Sequence, residues 1–89
     1  MRNKRKIVPG GRYKYYIPPT EYVVNEIIMD ATREESTGKL PQTVIYTQVI
    51  AGVYPIGTRY ARRLDDFLGK VKKDGKLVKK FDEVKKPSQ

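Results

Sequence analysis

Residues 53–68 read VYPIGTRYARRLDDFL, and the spacing of apolar side chains in this stretch predicts an amphipathic helix. Pro55 can open the helix because its missing N–H would be unpaired in the first turn, and Gly69 can close it. At about 100° per residue, apolar and small side chains share one face and Arg59 and Arg62 lie opposite. The predicted buried face consists of Gly57, Tyr60, Ala61, Leu64, Phe67 and Leu68.

A shorter apolar segment, residues 43–50, precedes this helix and is joined to it by Ala51-Gly52-Val53-Tyr54. A connection of three or four residues containing a glycine suits two helices that meet at a steep angle. The run from Val49 through this turn to Tyr60-Ala61-Arg62-Arg63-Leu64 resembles the helix-turn-helix of winged-helix regulators, and small lysine-rich members from archaea and their viruses are similar. The resemblance implies an α+β, mainly α fold, with three helices, a C-terminal β-hairpin wing and a possible N-terminal strand.

The segment before this pair predicts the first of the three helices. Thr20 can accept an orphan backbone N–H as an N-cap, and the helix is expected to end near residue 36, before Gly38. Its predicted buried stripe consists of Val24, Ile27, Ile28 and Ala31.

Short strands are predicted at the two flanks. Residues 12–17 alternate basic and aromatic side chains with period two, which is typical of a strand. Asp74-Gly75 lies between two short lysine-rich segments and predicts a type I′ hairpin, because that turn needs positive φ at both central residues. The alternative is a helix continued through residues 70–84. The interior glycine, which costs about 1 kcal/mol relative to alanine, favours the hairpin.

The net charge of +9 is divided unevenly along the 89 residues. Residues 1–19 contain six basic and no acidic side chains, residues 20–38 one basic and five acidic, and residues 59–89 eleven basic and five acidic. Lysine and arginine on one surface gain free energy by displacing counterions from phosphates, so this asymmetry favours nucleic-acid binding. Lysine-rich surfaces also arise through ion pairs that stabilise a fold.

Several classes of function are made improbable by composition. The chain has no cysteine and no histidine, so thiolate sites, disulfides and the usual zinc and acid–base residues are absent. We therefore expect no enzyme activity, cofactor, metal or small-molecule substrate. No signal peptide is evident and no apolar run approaches the roughly 20 residues of a membrane span. We expect a cytoplasmic, nucleoid-associated protein with no membrane partner.

The predicted function is sequence-specific binding of double-stranded DNA by a homodimeric transcriptional regulator, with the helix of residues 55–68 in the major groove. Residues 1–11 would form a flexible basic arm, residues 12–82 the winged helix-turn-helix domain and residues 83–89 a polar tail. The predicted base contacts are Thr58, Arg59, Arg62 and Arg63. The predicted backbone contacts are Thr43, Thr47, Tyr54, Lys72, Lys73 and Lys76. The arm and the strand after it would add Arg2, Lys4, Arg5, Lys6, Arg12 and Lys14.

Three alternatives are consistent with the same residues. The interleaved tyrosines and bases of residues 12–17 could stack single-stranded bases, which would suit an RNA-binding or ribosome-associated protein. The winged helix could instead serve as a protein-interaction module. A ribbon-helix-helix arrangement would use residues 12–17 as the ribbon, but it leaves the helix of residues 55–68 unexplained.

Overall fold

A computed structural model describes residues 7–17 and 20–84, and the regular secondary structure of this part of the chain is almost entirely β-strand. One short helix, α1, interrupts the series of strands. The elements in chain order are β1 (Arg12–Tyr15), β2 (Glu21–Met29), β3 (Gln42–Gln48), β4 (Arg59–Arg63), α1 (Leu64–Phe67), β5 (Lys70–Lys73), β6 (Lys76–Lys79) and β7 (Phe81–Glu83).

Five of the strands form one antiparallel sheet in the order β4-β3-β2-β1-β7. Strands β1 to β4 follow one another as a meander, and β7 returns to pair with β1, placing Tyr15 opposite Phe81. Strands β5 and β6 pair only with each other among the described residues and form a separate hairpin between α1 and β7.

The inner face of the sheet carries an aromatic core. Alternation along β3 turns Val44 and Tyr46 inward, since successive side chains of a strand point to opposite faces. The ring of Phe67 in α1 stacks on that of Phe81 in β7, with centroids 4.0 Å apart. The buried apolar side chains are Tyr13, Val24, Val44, Tyr46, Phe67 and Phe81.

The two edges of the sheet come together over this core. Arg62 on the edge strand β4 places its guanidinium carbon 5.1 Å from the ring centroid of Phe81 on the opposite edge strand. The same carbon lies 5.7 Å from the ring centroid of Tyr15. A flat sheet would keep β4 and β7 far apart, so the sheet is curled into a partly closed barrel.

The predicted winged helix-turn-helix is wrong, because residues 55–68 form a loop, strand β4 and a helix of only four residues. Gly57, assigned above to a buried helix face, has φ +96°, which no right-handed helix contains. Extended backbone also separates the arginines: Arg62 turns inward opposite Val44, whereas Arg59 and Arg63 pair with Thr47 and Thr43 on the outer face.

The other two predicted helices are strands as well. Residues 43–50 fall mainly in β3, and the helix predicted from Thr20 is replaced by β2 and the loop after it. Strand β2 has a bulge between Val24 and Glu26, so its inward positions are Tyr22, Val24 and Ile27. The extra residue changes a spacing of two into a spacing of three, which imitates helical periodicity. The ribbon-helix-helix alternative fails for the same lack of helices.

The two local strand predictions are confirmed. Residues 12–15 form β1, and Lys70–Lys79 form an antiparallel hairpin whose turn residues, Asp74 and Gly75, have φ +54° and +80°. This hairpin belongs to a β fold and is not the wing of a helix-turn-helix. Most of the predicted arm and tail, residues 1–6 and 85–89, lies outside the described residues. Within the described ranges, no helix has the length and apolar character needed to cross a membrane.

Candidate functional site

The loop between β3 and β4, residues 49–58, is held in place by backbone hydrogen bonds near its two ends and by one buried amide. Gln48 ends β3 at an inward position and is only 2% exposed. Its side-chain nitrogen donates to the backbone carbonyls of Ile50 and Tyr54, both at 2.8 Å. Its side-chain oxygen accepts a hydrogen bond from the hydroxyl of Tyr60 at 2.5 Å. This amide therefore fixes the loop against the sheet.

The loop forms one wall of an open cavity of about 500 Å³, which we call the tyrosine cavity. The opposite wall comes from β1, β2 and the connection between them. Its apolar lining consists mainly of Tyr15, Ile17, Tyr22, Val53, Tyr54 and Tyr60. Val53 and Tyr54 remain 93% and 58% exposed, so the mouth of the cavity is an apolar surface. Such a volume lies within the roughly 300–1,000 Å³ typical of small-molecule sites.

The tyrosines behind the cavity form a packed cluster. Tyr22 meets Tyr60 and Tyr46 edge-to-face, with ring centroids 5.6 Å and 5.1 Å away. Burial, followed by the neighbouring Tyr22, Tyr46 and Tyr54, raises the pKa of Tyr60 above its usual value. These surroundings therefore favour the neutral form of Tyr60, which donates to Gln48.

Arg62 is fixed on the far side of this cluster. It donates to the hydroxyl of Tyr46 at 3.1 Å and to the carboxylate of Asp66 at 2.5 Å, and Lys80 pairs with the same carboxylate. Burial opposes the charge of Arg62, but the hydrogen bonds to Tyr46 and Asp66 outweigh it and raise its pKa. Hydrogen bonds from Lys80 and then Arg62 lower the pKa of Asp66. This guanidinium is engaged in closing the sheet.

A second cavity, of about 340 Å³, lies between β1 and the hairpin, and we call it the lysine cavity. Its lining consists of Lys14, Tyr15, Tyr16, Lys73, Val78, Lys79 and Asp82. The one carboxylate of this lining, Asp82, pairs with Lys79 at 3.9 Å. The ring of Tyr15 lines both cavities and lies 4.8 Å from that of Tyr16, centroid to centroid. Aromatic rings and lysines thus form one continuous surface.

The lysines and arginines differ in their partners. Arg12, Arg62 and Arg63 each pair with a carboxylate, the last with Glu34. In contrast, within residues 7–17 and 20–84 no carboxylate lies within ion-pair distance of the following cations: Lys14, Arg33, Lys39, Arg59, Lys70, Lys72, Lys73 and Lys76. The hairpin therefore presents mostly uncompensated positive charge.

No protein-family model, curated protein or solved structure matches this chain. Its chemistry has to be inferred from its own geometry. Nor do the described residues bring together three or more side chains able to hold a metal ion. What the surface does offer is stacking on tyrosine rings, hydrogen bonding by hydroxyls and attraction of anions.

The residues predicted to contact bases are not gathered on one surface. Arg59 and Arg63 lie on the outer face of β4, and Arg62 lies on the inner face. Thr58 precedes β4 and donates its hydroxyl hydrogen to the carbonyl of Pro55 at 2.7 Å. Of the three arginines, Arg59 alone has no carboxylate partner within the described ranges.

The predicted backbone contacts are spread over the outer face of the sheet, the two cavities and the hairpin. Thr43 and Thr47 lie on the outer face of β3, opposite Arg63 and Arg59. Tyr54 lines the tyrosine cavity, and Lys73 lines the lysine cavity. Lys72 and Lys76 lie on the hairpin, and Arg12 and Lys14 on β1. The predicted arm contacts Arg2, Lys4, Arg5 and Lys6 fall outside the described residues.

Sequence reasoning missed Gln48 and the joint role of Tyr15, Tyr22 and Tyr60. A period-two pattern was present in Val44-x-Tyr46-x-Gln48, where a polar residue continues a row of inward side chains. A glutamine at a buried strand position must have hydrogen-bond partners, which is a signal for a fixed loop. The tyrosines come from three different strands and the β3–β4 loop, so only the fold brings them together.

Proposed function

We propose that this protein binds nucleic acid through the phosphate backbone, using lysines of β1 and of the β5–β6 hairpin. The observation that carries the proposal is the lysine cavity, which Lys14, Lys73 and Lys79 line together with a single carboxylate, Asp82. Asp82 pairs with Lys79, and no carboxylate of the described residues lies within ion-pair distance of Lys14 or Lys73. Residues 70–80 add six lysines and a single acid. Clustered lysines gain affinity for phosphates by releasing condensed counterions.

Duplex DNA is the ligand predicted from the sequence, but the helix expected to enter its major groove is absent. We therefore propose binding through phosphate contacts, without a helix that reads bases. RNA and single-stranded DNA carry the same phosphates and are equally served by lysines. We also propose that the protein forms a homodimer, which would double these contacts, and that it acts inside the cell.

Binding measured across a salt series tests this proposal. The probes are a labelled single strand and a labelled duplex of the same mixed sequence, and the variant is Lys14→Gln/Lys73→Gln. Each lost phosphate contact should make the log–log salt slope shallower by about 0.7 on the single strand and about 0.9 on the duplex. Affinity at low salt should fall with both probes.

Arg33→Gln/Lys39→Gln is a matched control. Both double variants remove two charges, and each pair contains one cation bound to a backbone carbonyl: Lys73 to that of Tyr16 and Arg33 to that of Gly38. The control pair lies in the connection between β2 and β3 and should keep the wild-type salt slope. Equal losses in the two variants, or binding without salt dependence, would overturn the proposal and favour a protein partner.

A further inference from the structure

The tyrosine cavity has no part in the phosphate contacts proposed above, yet it adjoins them through Tyr15. Its rings come from Tyr15, Tyr22, Tyr54 and Tyr60, and the exposed Val53 extends the apolar wall. Isolated exposed apolar residues are common, but a concave group of four rings has room for a flat ligand. The ligand class follows from the rings together with the surrounding charge.

We infer that the tyrosine cavity binds one unpaired nucleobase of a single strand whose phosphates lie along the lysine cavity. This inference rests on the proposed function. Aromatic side chains beside a cationic groove are how single strands are bound without sequence preference, with bases stacked on the rings and lysines following the backbone. Tyr15 lies at the junction of the two cavities, where the sugar of the bound nucleotide would pass.

The charges around the cavity favour a base over a cationic ligand. Aromatic cages also bind quaternary ammonium groups. Here, however, no carboxylate lines the cavity, and the guanidinium of Arg62 already lies 5.7 Å from the centroid of the Tyr15 ring. A second cation would be repelled by Arg62 and by the neighbouring Lys14. A neutral base attached to a phosphate fits both the apolar rings and the positive border.

Hydrogen bonding within the cavity indicates stacking rather than base reading. Both functions of the Gln48 amide are used, by two backbone carbonyls and by the hydroxyl of Tyr60. The hydroxyl of Thr20 donates to that of Tyr22 at 3.0 Å. The Gln48 amide is therefore not available to read a base, and we expect stacking on the rings to supply the affinity for the base. A duplex would be disfavoured, because its bases are paired and stacked and would have to be flipped out to enter.

The test compares a short labelled oligodeoxyadenylate with an abasic strand of the same length, which keeps the phosphates and lacks the bases. Wild-type protein should bind the oligodeoxyadenylate about tenfold more tightly, the effect of stacking one base. Tyr54→Ala removes one exposed ring and keeps the backbone carbonyl that Gln48 binds. This variant should bind both strands alike, at the wild-type affinity for the abasic strand.

Ile56→Ala is the matched control, since Ile56 is an exposed apolar residue of the same loop that does not line the cavity. It should keep the tenfold preference. Equal, salt-dependent binding of both strands by the wild type would refute the base site and leave the proposed function standing. Undiminished preference in Tyr54→Ala would also refute it. Failure of the wild type to bind either strand would instead overturn the proposed function itself.

Discussion

The amide of Gln48 connects stability with the candidate site, because the loop that it holds is also a wall of the tyrosine cavity. Replacing it by leucine removes the hydrogen bonds to the carbonyls of Ile50 and Tyr54 and the acceptor for the hydroxyl of Tyr60. Among the described residues, the Tyr54 carbonyl then keeps only its bond from the backbone N–H of Gly52. We expect Gln48→Leu to lower the free energy of unfolding by about 2 kcal/mol, measured by urea denaturation. Gln42→Leu, at an exposed position of the same strand, should change it by less than about 0.5 kcal/mol. Similar values for the two variants would contradict this role.

Asp66 should make stability depend on acid pH. Hydrogen bonds from Lys80 and Arg62 lower its pKa in the folded state below the value of about 3.9 expected for the unfolded chain. Its contribution is therefore complete above about pH 5 and is lost as pH falls through the lowered pKa of the folded state. Asp66→Asn should remove up to about 1 kcal/mol at neutral pH and flatten the acid dependence.

The control for this pH dependence is Asp65→Asn, whose parent side chain is 83% exposed and lies 4.0 Å from Arg63. Chemical denaturation at a series of pH values should give Asp65→Asn the same acid slope as the wild type. If Asp66→Asn and the wild type lose stability in parallel on acidification, other carboxylates cause the loss.

Among the secondary-structure elements, short-range sequence signals predicted the observed structure correctly, whereas longer periodicities predicted helices where the structure has strands. The Asp74-Gly75 turn was predictable because the positive φ of its two residues is a local requirement. Strand β2 was misassigned because its bulge at Asn25 spaces the inward side chains Val24 and Ile27 three apart. Strand β4 was misassigned because Arg62 occupies an inward position, which hides the alternation that would mark a strand. The aromatic partners of Arg62, which are Tyr15, Tyr46 and Phe81, come from distant parts of the chain.

Replacing Ala61 by valine distinguishes the strand from the expected helix, because the free energy of unfolding should change in opposite directions in the two structures. It is exposed on the outer face of β4, directly opposite Ile45 of β3. A valine there would form a cross-strand pair of β-branched residues and should raise the free energy of unfolding by about 0.5 kcal/mol. In a helix the same change would lower it by about the same amount.

Ala31→Val is the control for this strand test, since Ala31 is exposed in the connection between β2 and β3 and belongs to no strand. It should leave the urea midpoint within error of the wild type. A loss of stability in Ala61→Val, with Ala31→Val unchanged, would argue against strand β4.

For the whole molecule, the pairing that closes the fold joins opposite ends of the described chain. Tyr13 of β1 lies opposite Glu83 of β7, and Arg62 of β4 reaches the ring of Phe81. Sequence reasoning could not identify this contact, since no local pattern indicates which strands pair. The tyrosine cavity also depends on which strands pair, because its tyrosines come from different strands. The candidate site was therefore unpredictable for the same reason as the closure of the sheet.

Phe81 is the residue on which this closure depends most. Its fully buried ring stacks on Phe67, meets Tyr46 at 5.5 Å between centroids and lies under Arg62. Phe81→Ala should lower the free energy of unfolding by about 3–5 kcal/mol. An 89-residue domain has a total stability of roughly 4–13 kcal/mol, so this loss is between about a quarter and all of it, and the variant should unfold at a much lower urea concentration than the wild type. Leu77→Ala is the control, since it shortens a side chain that is 67% exposed on the neighbouring hairpin. Its free energy of unfolding should lie within about 0.5 kcal/mol of the wild-type value. A Phe81→Ala protein that unfolds cooperatively less than 1 kcal/mol below the wild type would show that β7 is not needed to close the sheet. Since the tyrosine cavity is built on the same closed sheet, loss of the fold in Phe81→Ala should abolish the base preference of the single-strand assay as well.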